Sequence, residues 1–335
     1  MSSRRQFLRS SGLAAAAWVT QRAALAQNPA QQPVAPAPAP VPVHTNPAVQ
    51  PEPNLIQTLK TAAASETIHT TKLTDTIFLL QGVGGNIVCQ FGPDGKLLID
   101  SGIDTGTPHL LDAIRHLDTH PLRFLINTHW HIDHTSGNAA LHLAGAFIIA
   151  QTNTRTRLAS PQYISVYDIH VPAAPDAALP QDTFPETETL WLNNDQTDLV
   201  HTPYAHTDSD IFVHFNKGDV IHTGDLWFNG MYPLIDISSG GTINGMIRGV
   251  DQVLDLADDR TKIVPGHGPL GDKAALQTYR EMLVTVADRV EKLKAQGDTV
   301  DQAVDAHPTA DLDAAWAKPG AIQPNTFVAL VYDSL

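Results

Sequence analysis

The chain has 335 residues, with 35 acidic against 21 basic side chains and a formal net charge of −14. Residues 1–26 hold four arginines and no acid, so the remainder has 35 acids against 17 bases, or −18. Such a charge repels nucleic acids and anionic membranes at long range, which argues against both as partners. Apolar residues make up 42%, enough for a core in one large or two small domains. Cys89 is the only cysteine, which excludes an intramolecular disulfide and a cysteine-rich zinc ribbon.

The N-terminus has the features of an export signal. Arg4 and Arg5 precede Phe7, a short apolar stretch over residues 12–19 and a small-x-small site at residues 24–26. The paired arginines resemble the twin-arginine class of signals. The apolar stretch has about half the length that a bilayer span requires. We therefore expect residues 1–26 to direct export to the periplasm and to leave no stable membrane insertion after their removal.

The next segment has the composition of a spacer. Residues 27–53 contain nine prolines among Ala, Val and Gln. Proline rings favour an extended chain and remove backbone donors, so no packed element is expected there. Residues 27–65 are predicted to be a linker and lead-in, and residues 66–335 the folded domain.

From residue 66, short runs rich in Ile, Val and Leu alternate with turn signals. The predicted strands, in chain order, are 76–80, 86–91, 96–99, 123–126, 147–150, 187–192, 197–201, 211–215, 220–223 and 262–264. The predicted helices are 108–117, 139–143, 242–257 and 274–295, with further helices at the C-terminus. Strands first and then strand–helix alternation, repeated twice, predict an α/β fold of two sheets face to face with helices outside.

Four candidate metal ligands follow the strand predicted at 123–126. They are His129, His131, Asp133 and His134. In an extended chain, His129 and His131 lie on the same face, so their imidazoles can converge. Asp133 and His134 come where the chain must turn into a helix, so the four side chains leave the strand end in different directions. They can therefore bind two neighbouring cations. Imidazole and carboxylate together suit zinc, and suit iron or manganese less exclusively.

Three further candidates can complete the site. His206, Asp225 and His267 each come shortly after an apolar strand. Small residues beside Asp225 and His267 allow the backbone to approach an ion closely.

These seven residues, in this order, resemble the signature of the metallo-β-lactamase superfamily, over roughly residues 66–295. The resemblance implies a four-layer αββα sandwich with the metals at one edge between the sheets. It implies two Zn²⁺ per chain, the first held by His129, His131 and His206 and the second by Asp133, His134 and His267. It also implies that Asp225 bridges the two ions, as in the glyoxalase-II-like and lactonase-like branches.

The chemistry expected of such a site is metal-dependent hydrolysis. Two cations about 3.5–4 Å apart can share a solvent oxygen and lower its pKa to about 7. The expected substrate is a small molecule with an acyl bond: a lactam, lactone, thioester or ester. Asp133 is predicted to serve both as ligand and as proton carrier. The acidity of the chain argues against phosphodiesters.

Three alternatives remain open. A β-lactamase proper is the first, but the best-known lactamase branch has a cysteine where Asp225 stands and a lysine where Phe228 stands. We therefore expect weak lactamase activity and a more apolar natural substrate. The second alternative is a mononuclear iron dioxygenase of the persulfide type, which shares the fold. The third is a non-catalytic periplasmic module that binds metal or a quinoprotein partner. The sequence does not predict an oligomeric state.

Several residues have a possible supporting role. Asp100 ends a buried strand, where it either orients a ligand histidine or caps a turn. His222 is a weaker candidate for support of the site, and Cys89 is predicted to be a small buried hydrophobe. Five large side chains are predicted either to line the substrate pocket or to belong to the core: Trp130, Trp227, Phe228, Met231 and Tyr232. Residues 238–241 are predicted to form a flexible approach to the site, and residues 160–185 a loop over it.

Overall fold

The computed structural model describes residues 54–82 and 84–335. The predicted export signal at 1–26 and the proline-rich segment 27–53 lie outside the described residues, so their assignments stay predictions. In the two described ranges, no helix combines the length and the apolar character needed to cross a bilayer.

The first sheet has seven strands. They are β1 (His69–Lys72), β2 (Ile77–Gln81), β3 (Ile87–Gly92), β4 (Gly95–Ile99), β5 (Leu122–Asn127), β6 (Phe147–Gln151) and β9 (Asp182–Phe184), and their order in the sheet follows the chain. The first four form an antiparallel meander, and β4, β5, β6 and β9 run parallel. Every residue of β4 is buried, as expected for an apolar run covered on both faces.

The second sheet has five strands. They are β10 (Thr187–Leu192), β11 (Asp195–His201), β12 (Ile211–Phe215), β13 (Val220–His222) and β14 (Lys262–Val264), again in chain order. Neighbours are antiparallel except β13 and β14, which are parallel. A separate hairpin of β7 (Gln162–Ile164) and β8 (Ile169–Val171) lies between β6 and β9 in chain order.

Ten helices complete the described part of the chain. They are α1 (Leu55–Ala63), α2 (Thr107–Leu117), α3 (Ile132–Thr135), α4 (Asn138–Leu143), α5 (Thr152–Leu158), α6 (Ile243–Leu256), α7 (Lys273–Gln296), α8 (Val300–Asp305), α9 (Asp313–Trp316) and α10 (Pro324–Ser334).

Three apolar clusters define the layers. One lies between the sheets and joins Val88 and Ile99 of the first sheet to Val213 of the second. Another packs α2 and α4 on the outer face of the first sheet, and it contains Cys89 as predicted. The third packs α6, α7 and the C-terminal helices on the outer face of the second sheet through residues such as Ile221. The predicted αββα arrangement is confirmed.

The predicted strands and helices are present within a few residues of their expected bounds, but several elements were missed. Edge strand β1 is exposed along its length, so it has no alternating apolar pattern to reveal it. Helix α5 is rich in threonine and arginine, and α1 lies in the stretch predicted to be a lead-in. The predicted loop at 160–185 contains the β7–β8 hairpin and β9. These three strands have three residues each and contain no two adjacent aliphatic residues, unlike β13 and β14.

Candidate metal centre

The candidate ligands lie where strands of the two sheets end. His129 and His131 follow β5, and the short helix α3 then carries Asp133 and His134. His206 lies in the loop between β11 and β12. Asp225 lies in a single helical turn at 224–226 after β13, and His267 comes three residues after β14. Because β13 and β14 are parallel, the residues that follow them meet at one edge of the sheet.

Four of the seven side chains form the first group. The candidate ligand atoms of His129, His131, His206 and Asp225 all lie within 4.8 Å of one another. His131 Nδ1 is 2.8 Å from His206 Nε2. Asp225 Oδ2 is 3.4 Å from His206 Nε2 and 3.8 Å from His129 Nε2. The group is buried, so its polar atoms are withdrawn from solvent.

The other three side chains form the second group. Asp133, His134 and His267 also place one ligand atom each within 4.8 Å of the others. His134 Nε2 is 3.3 Å from His267 Nε2, and Asp133 Oδ2 is 3.1 Å from His267 Nε2. Asp225 reaches this group too, since its Oδ1 is 3.1 Å from His134 Nε2. The carboxylate of Asp225 therefore lies between the two groups.

Hydrogen bonds on the outer side fix the direction of three imidazoles. His206 Nδ1 donates to the Leu234 carbonyl (2.8 Å), and His134 Nδ1 donates to Asp100 Oδ2 (2.7 Å). His131 Nε2 donates to Asp236 Oδ2 (3.0 Å). An imidazole that donates through one nitrogen has, when neutral, a lone pair on the other. The inward-facing nitrogens of all three rings are thus set up to bind a cation.

A metal ion fits this arrangement. Two inward lone pairs, on His131 and His206, face each other at 2.8 Å, which is unfavourable unless a cation accepts both. His129 Nε2 is buried and has no hydrogen-bond partner, although a buried polar atom is normally satisfied. Nitrogen and carboxylate oxygen donors in sets of three or four suit zinc.

Electrostatics differ between the two groups. Burial holds the pKa of His129 well below its usual range and lowers the pKa of His206 to about 4. At His267, burial also lowers the pKa, but the charges of Asp225 and Asp133 outweigh it and raise the pKa to about 10. The charges of Asp225 and Asp133 therefore favour a positive charge at or beside His267. Without a metal ion a proton supplies it, and with a metal ion the cation does.

Asp100 supports the site as one of its two interpretations predicted. Besides the bond from His134, its carboxylate accepts hydrogen bonds from the Thr128 backbone N–H and hydroxyl, both at 2.7 Å. Asp100 has a φ of 67°, a left-handed conformation that Asp tolerates better than most residues. The residue thus ties the end of β4 to the ligand-bearing segment after β5.

Asp236 was missed by the sequence interpretation. Its carboxylate accepts from His131 and also from the hydroxyls of Ser238 and Ser239. Burial raises its pKa, but these hydrogen bonds and the charge of His131 lower it to about 2. The available signal was an acid after the apolar pair Leu234 and Ile235, followed by two serines. Ser238 and Ser239 therefore hold the carboxylate that accepts from His131, and the flexible approach expected over residues 238–241 stays a prediction.

His222 supports the backbone that carries Asp225. Its Nε2 donates to the Asn86 carbonyl (2.9 Å), and its Nδ1 accepts from the Gly224 N–H (3.0 Å). The ring thus connects the turn at 224–226 to the first sheet.

The aromatic candidates divide between the site and the core. Phe228 stacks on His267, with ring centroids 5.2 Å apart and planes 19° apart. Trp227 and Tyr232 are fully buried in the helical core, and Met231 packs against it. Trp130 is also buried, with its ring edge-on to His131 at 4.6 Å. Phe228 is the aromatic wall of the site.

Two glycines allow the close packing around the ligands. A Cβ added to Gly266 would lie 2.0 Å from Asp225 Oδ1, and one added to Gly85 would lie 2.1 Å from His134 Cε1. Both distances are far below van der Waals contact, so only glycine fits at these two points.

Several solved structures share this fold. A metallo-beta-lactamase from Pontibacter korlensis aligns with a TM-score of 0.54 and 18% identity, over 65% of this chain and 99% of that one. The DIM-1 metallo-beta-lactamase aligns at 0.52 and 20%, over 65% and 98%. The sec-alkylsulfatase Pisa1 from Pseudomonas sp. aligns at 0.57 and 17%, over 79% of this chain but half of the alkylsulfatase. At such identities the likeness shows the fold alone.

The sequence itself carries the family relationship. A family model described as the metallo-beta-lactamase superfamily matches residues 81–282, more than half of the chain. The matched range includes both groups of candidate ligands and most strands of both sheets. The chain therefore belongs to the metallo-beta-lactamase superfamily.

Proposed function

We propose that this protein is a zinc-dependent hydrolase that cleaves an acyl bond in a small molecule: a lactam, lactone, thioester or ester. The observation that carries the proposal is the place of Asp225 between two complete sets of ligand atoms. Its Oδ2 lies 3.4 Å from both His206 Nε2 and His267 Nε2, and its Oδ1 lies 3.1 Å from His134 Nε2, so this carboxylate could contact a cation in either set. The nitrogen-rich first group and the mixed second group both have donors that zinc accepts.

The assignment of ligands follows from these distances. His129, His131 and His206 would hold one zinc ion, and Asp133, His134 and His267 the other, with Asp225 in contact with both. When bound, the ions would act as Lewis acids and lower the pKa of coordinated water to about 7. The buried acceptors Asp100 and Asp236 would keep the imidazole rings aimed inward.

Asp133 is the carboxylate best placed to move a proton. Its side chain is 21% exposed, whereas that of Asp225 is 4% exposed. Although burial raises the pKa of Asp133, the neighbouring His134 and His267 hold it below its usual range. The group is therefore ionised at neutral pH, and we propose that it takes the proton of the attacking water and passes it on.

The wall beside His267 favours an uncharged acyl substrate. Phe228 occupies that wall. In the described part of the chain, the ion pairs of the seven candidate ligands involve only histidine and aspartate, with no lysine or arginine. Phe228 itself offers no positive charge to a substrate carboxylate. We therefore propose an apolar acyl substrate, with β-lactams as poor substrates.

The site of action would be the periplasm if residues 1–26 act as the predicted twin-arginine signal. Replacement of Arg4 and Arg5 by lysine should then leave the protein in the cytoplasmic fraction of a producing bacterium. Export that continues unchanged would contradict the proposal.

The activity is tested by zinc-dependent turnover of a substrate panel. The panel contains neutral lactones, thioesters and esters beside a cephalosporin, an alkyl sulfate and a phosphodiester. We expect turnover of at least one neutral acyl substrate, loss on chelation and recovery with zinc. Asp133→Asn protein that retains metal should lose most of this turnover. Preferred hydrolysis of the cephalosporin, the sulfate or the phosphodiester would refute the substrate assignment, and a single bound iron would favour the dioxygenase alternative.

A further inference from the structure

A second concave site lies outside the candidate metal centre. It is a cavity of about 360 Å³ with walls from α1, α3, α4, α5 and the segment after β8. None of the seven candidate ligands is among its lining residues. Its volume lies within the range of about 300–1,000 Å³ that is typical of sites for small organic molecules.

The lining of the cavity is mainly aliphatic and aromatic. Ile103, Ile132, Leu158 and Val171 are among its aliphatic lining residues. Trp130 adds an aromatic surface. Binding of an apolar molecule to such a surface is favoured by about 25 cal/mol for each Å² of apolar surface removed from water.

The two cations that line the cavity are already neutralised. Lys60 Nζ lies 2.7 Å from Asp104 Oδ2, and both residues line the cavity. Arg157 donates a bidentate pair of hydrogen bonds to the Asp208 carboxylate, at 2.6 and 2.8 Å. An anionic ligand would have to compete with these carboxylates and would also approach a chain of net charge −14. The charge pattern therefore favours an uncharged ligand.

We propose that this cavity binds a small, uncharged, apolar molecule at a site separate from the metal centre. Trp130 and Ile132 alternate along the chain with His131, so a molecule in the cavity would contact the residues on both sides of a candidate ligand. The Ser165 N–H, in the turn of the hairpin that carries Val171, donates to Ser238 Oγ (3.2 Å), and Ser238 donates to Asp236 beside His131. The cavity wall and the first metal group are thus joined through both the chain and side-chain contacts.

Two fluorescent probes that share one ring skeleton test the charge argument. N-Phenyl-1-naphthylamine is uncharged, and 1-anilinonaphthalene-8-sulfonate differs from it by one sulfonate. With the full chain, we expect saturable binding of the uncharged probe at one site per chain and at least tenfold weaker binding of the sulfonate. The absence of saturable binding, or equal or tighter binding of the sulfonate, would overturn the proposal.

Substitutions that fill the cavity locate the binding site. Ala140 on α4 and Ala173 after β8 both line the cavity and belong to different elements, so Ala140→Phe and Ala173→Phe each add a ring at a different part of the lining. Each should weaken binding of the uncharged probe at least tenfold. Ala274→Phe, at an exposed alanine on α7, is the matched control and should leave affinity unchanged. Undiminished binding by either folded cavity variant would place the probe elsewhere and contradict the proposal.

Discussion

At the scale of single residues, the candidate centre depends on the acceptors behind its histidines. Asp100, Asp236 and the Leu234 carbonyl each take a hydrogen bond from the outer nitrogen of one ring. These acceptors decide which nitrogen faces inward with a lone pair. Removal of an outer acceptor typically weakens metal affinity about 10–100-fold in such sites.

Asp236→Asn tests this dependence. Asparagine keeps the size of the side chain but removes the charge that holds the His131 N–H, so zinc affinity of the first group should fall about 10–100-fold. Competition with a chromogenic chelator measures the affinity. Asp255→Asn, at an exposed acid on α6, should bind zinc as the unmodified protein does. An unchanged affinity in Asp236→Asn would show that Asp236 does not orient His131.

We expect Phe228 to influence which substrates are accepted, because its ring stacks on His267. Phe228→Lys supplies a cation for a substrate carboxylate, so the kcat/KM for a cephalosporin should rise relative to that for a neutral ester. A gain of about tenfold corresponds to about 1.4 kcal/mol of added transition-state binding. Phe228→Leu is the control for loss of the ring without a charge. If both variants change the ratio equally, charge at this wall does not select the substrate.

At the scale of elements, the centre is made by strand ends and by the tight turns that follow them. The ligands come after β5, β11, β13 and β14, which belong to two different sheets. Gly85 and Gly266 let the backbone pass within contact distance of His134 and Asp225. We therefore expect a substitution in these turns to disturb the site as much as a substitution of a ligand residue.

Gly266→Ala tests the turn after β14. The added Cβ would overlap Asp225 Oδ1 and the Gly224 backbone, at 2.0 and 2.7 Å. We expect loss of bound zinc and of activity, together with destabilisation. Gly230→Ala is the control, because the added Cβ there has no atom within 4 Å, and its only cost is the positive φ of 81°. That variant should lose about 1–2 kcal/mol of stability and retain its zinc. Normal zinc content in Gly266→Ala would contradict the close packing described.

The same scale shows what the sequence could predict. Buried strands such as β4 and β12 have continuous apolar runs between turn signals, so their bounds could be read within a residue or two. The spacing after β5 predicted four candidate ligands that the structure brings together. Asp236 was not predicted, because no motif marks its contact with His131 and its local signal, an acid between apolar residues and two serines, is not specific. Phe228 and Trp227 are neighbours in sequence, and only the packing of α7 and β14 decides that one faces the site and the other the core.

At the scale of the whole molecule, the fold concentrates charge that it must balance. Two carboxylates and five imidazoles share one edge of the sandwich, and only Asp133 and His267 among them are partly exposed. In the metal-free protein, Asp225 and Asp133 raise the pKa of His267 from 6.5 to about 10 despite its burial. A pKa raised on folding contributes stability that is complete below about 6.5 and is lost as the pH rises toward 10.

The raised pKa of His267 predicts that metal-free and zinc-loaded protein differ in how their stability depends on pH. After chelation, the thermal midpoint should fall by several degrees between pH 6.5 and pH 9, because in that range His267 keeps its proton in the folded protein and loses it in the unfolded chain. With zinc bound, the cation replaces the proton, and the fall should be much smaller. Differential scanning calorimetry at matched ionic strength measures both. Parallel profiles for the two forms would contradict the proposed charge balance.

The most direct test of the account is the zinc content of the protein. Mass spectrometric metal analysis after extensive dialysis should give two zinc ions per chain, and one for His267→Ala, which removes a ligand of the second group only. His69→Ala, at an exposed histidine on β1, should still give two. A content of two ions in His267→Ala, or of none in the unmodified protein supplied with zinc, would contradict a centre built from these seven side chains.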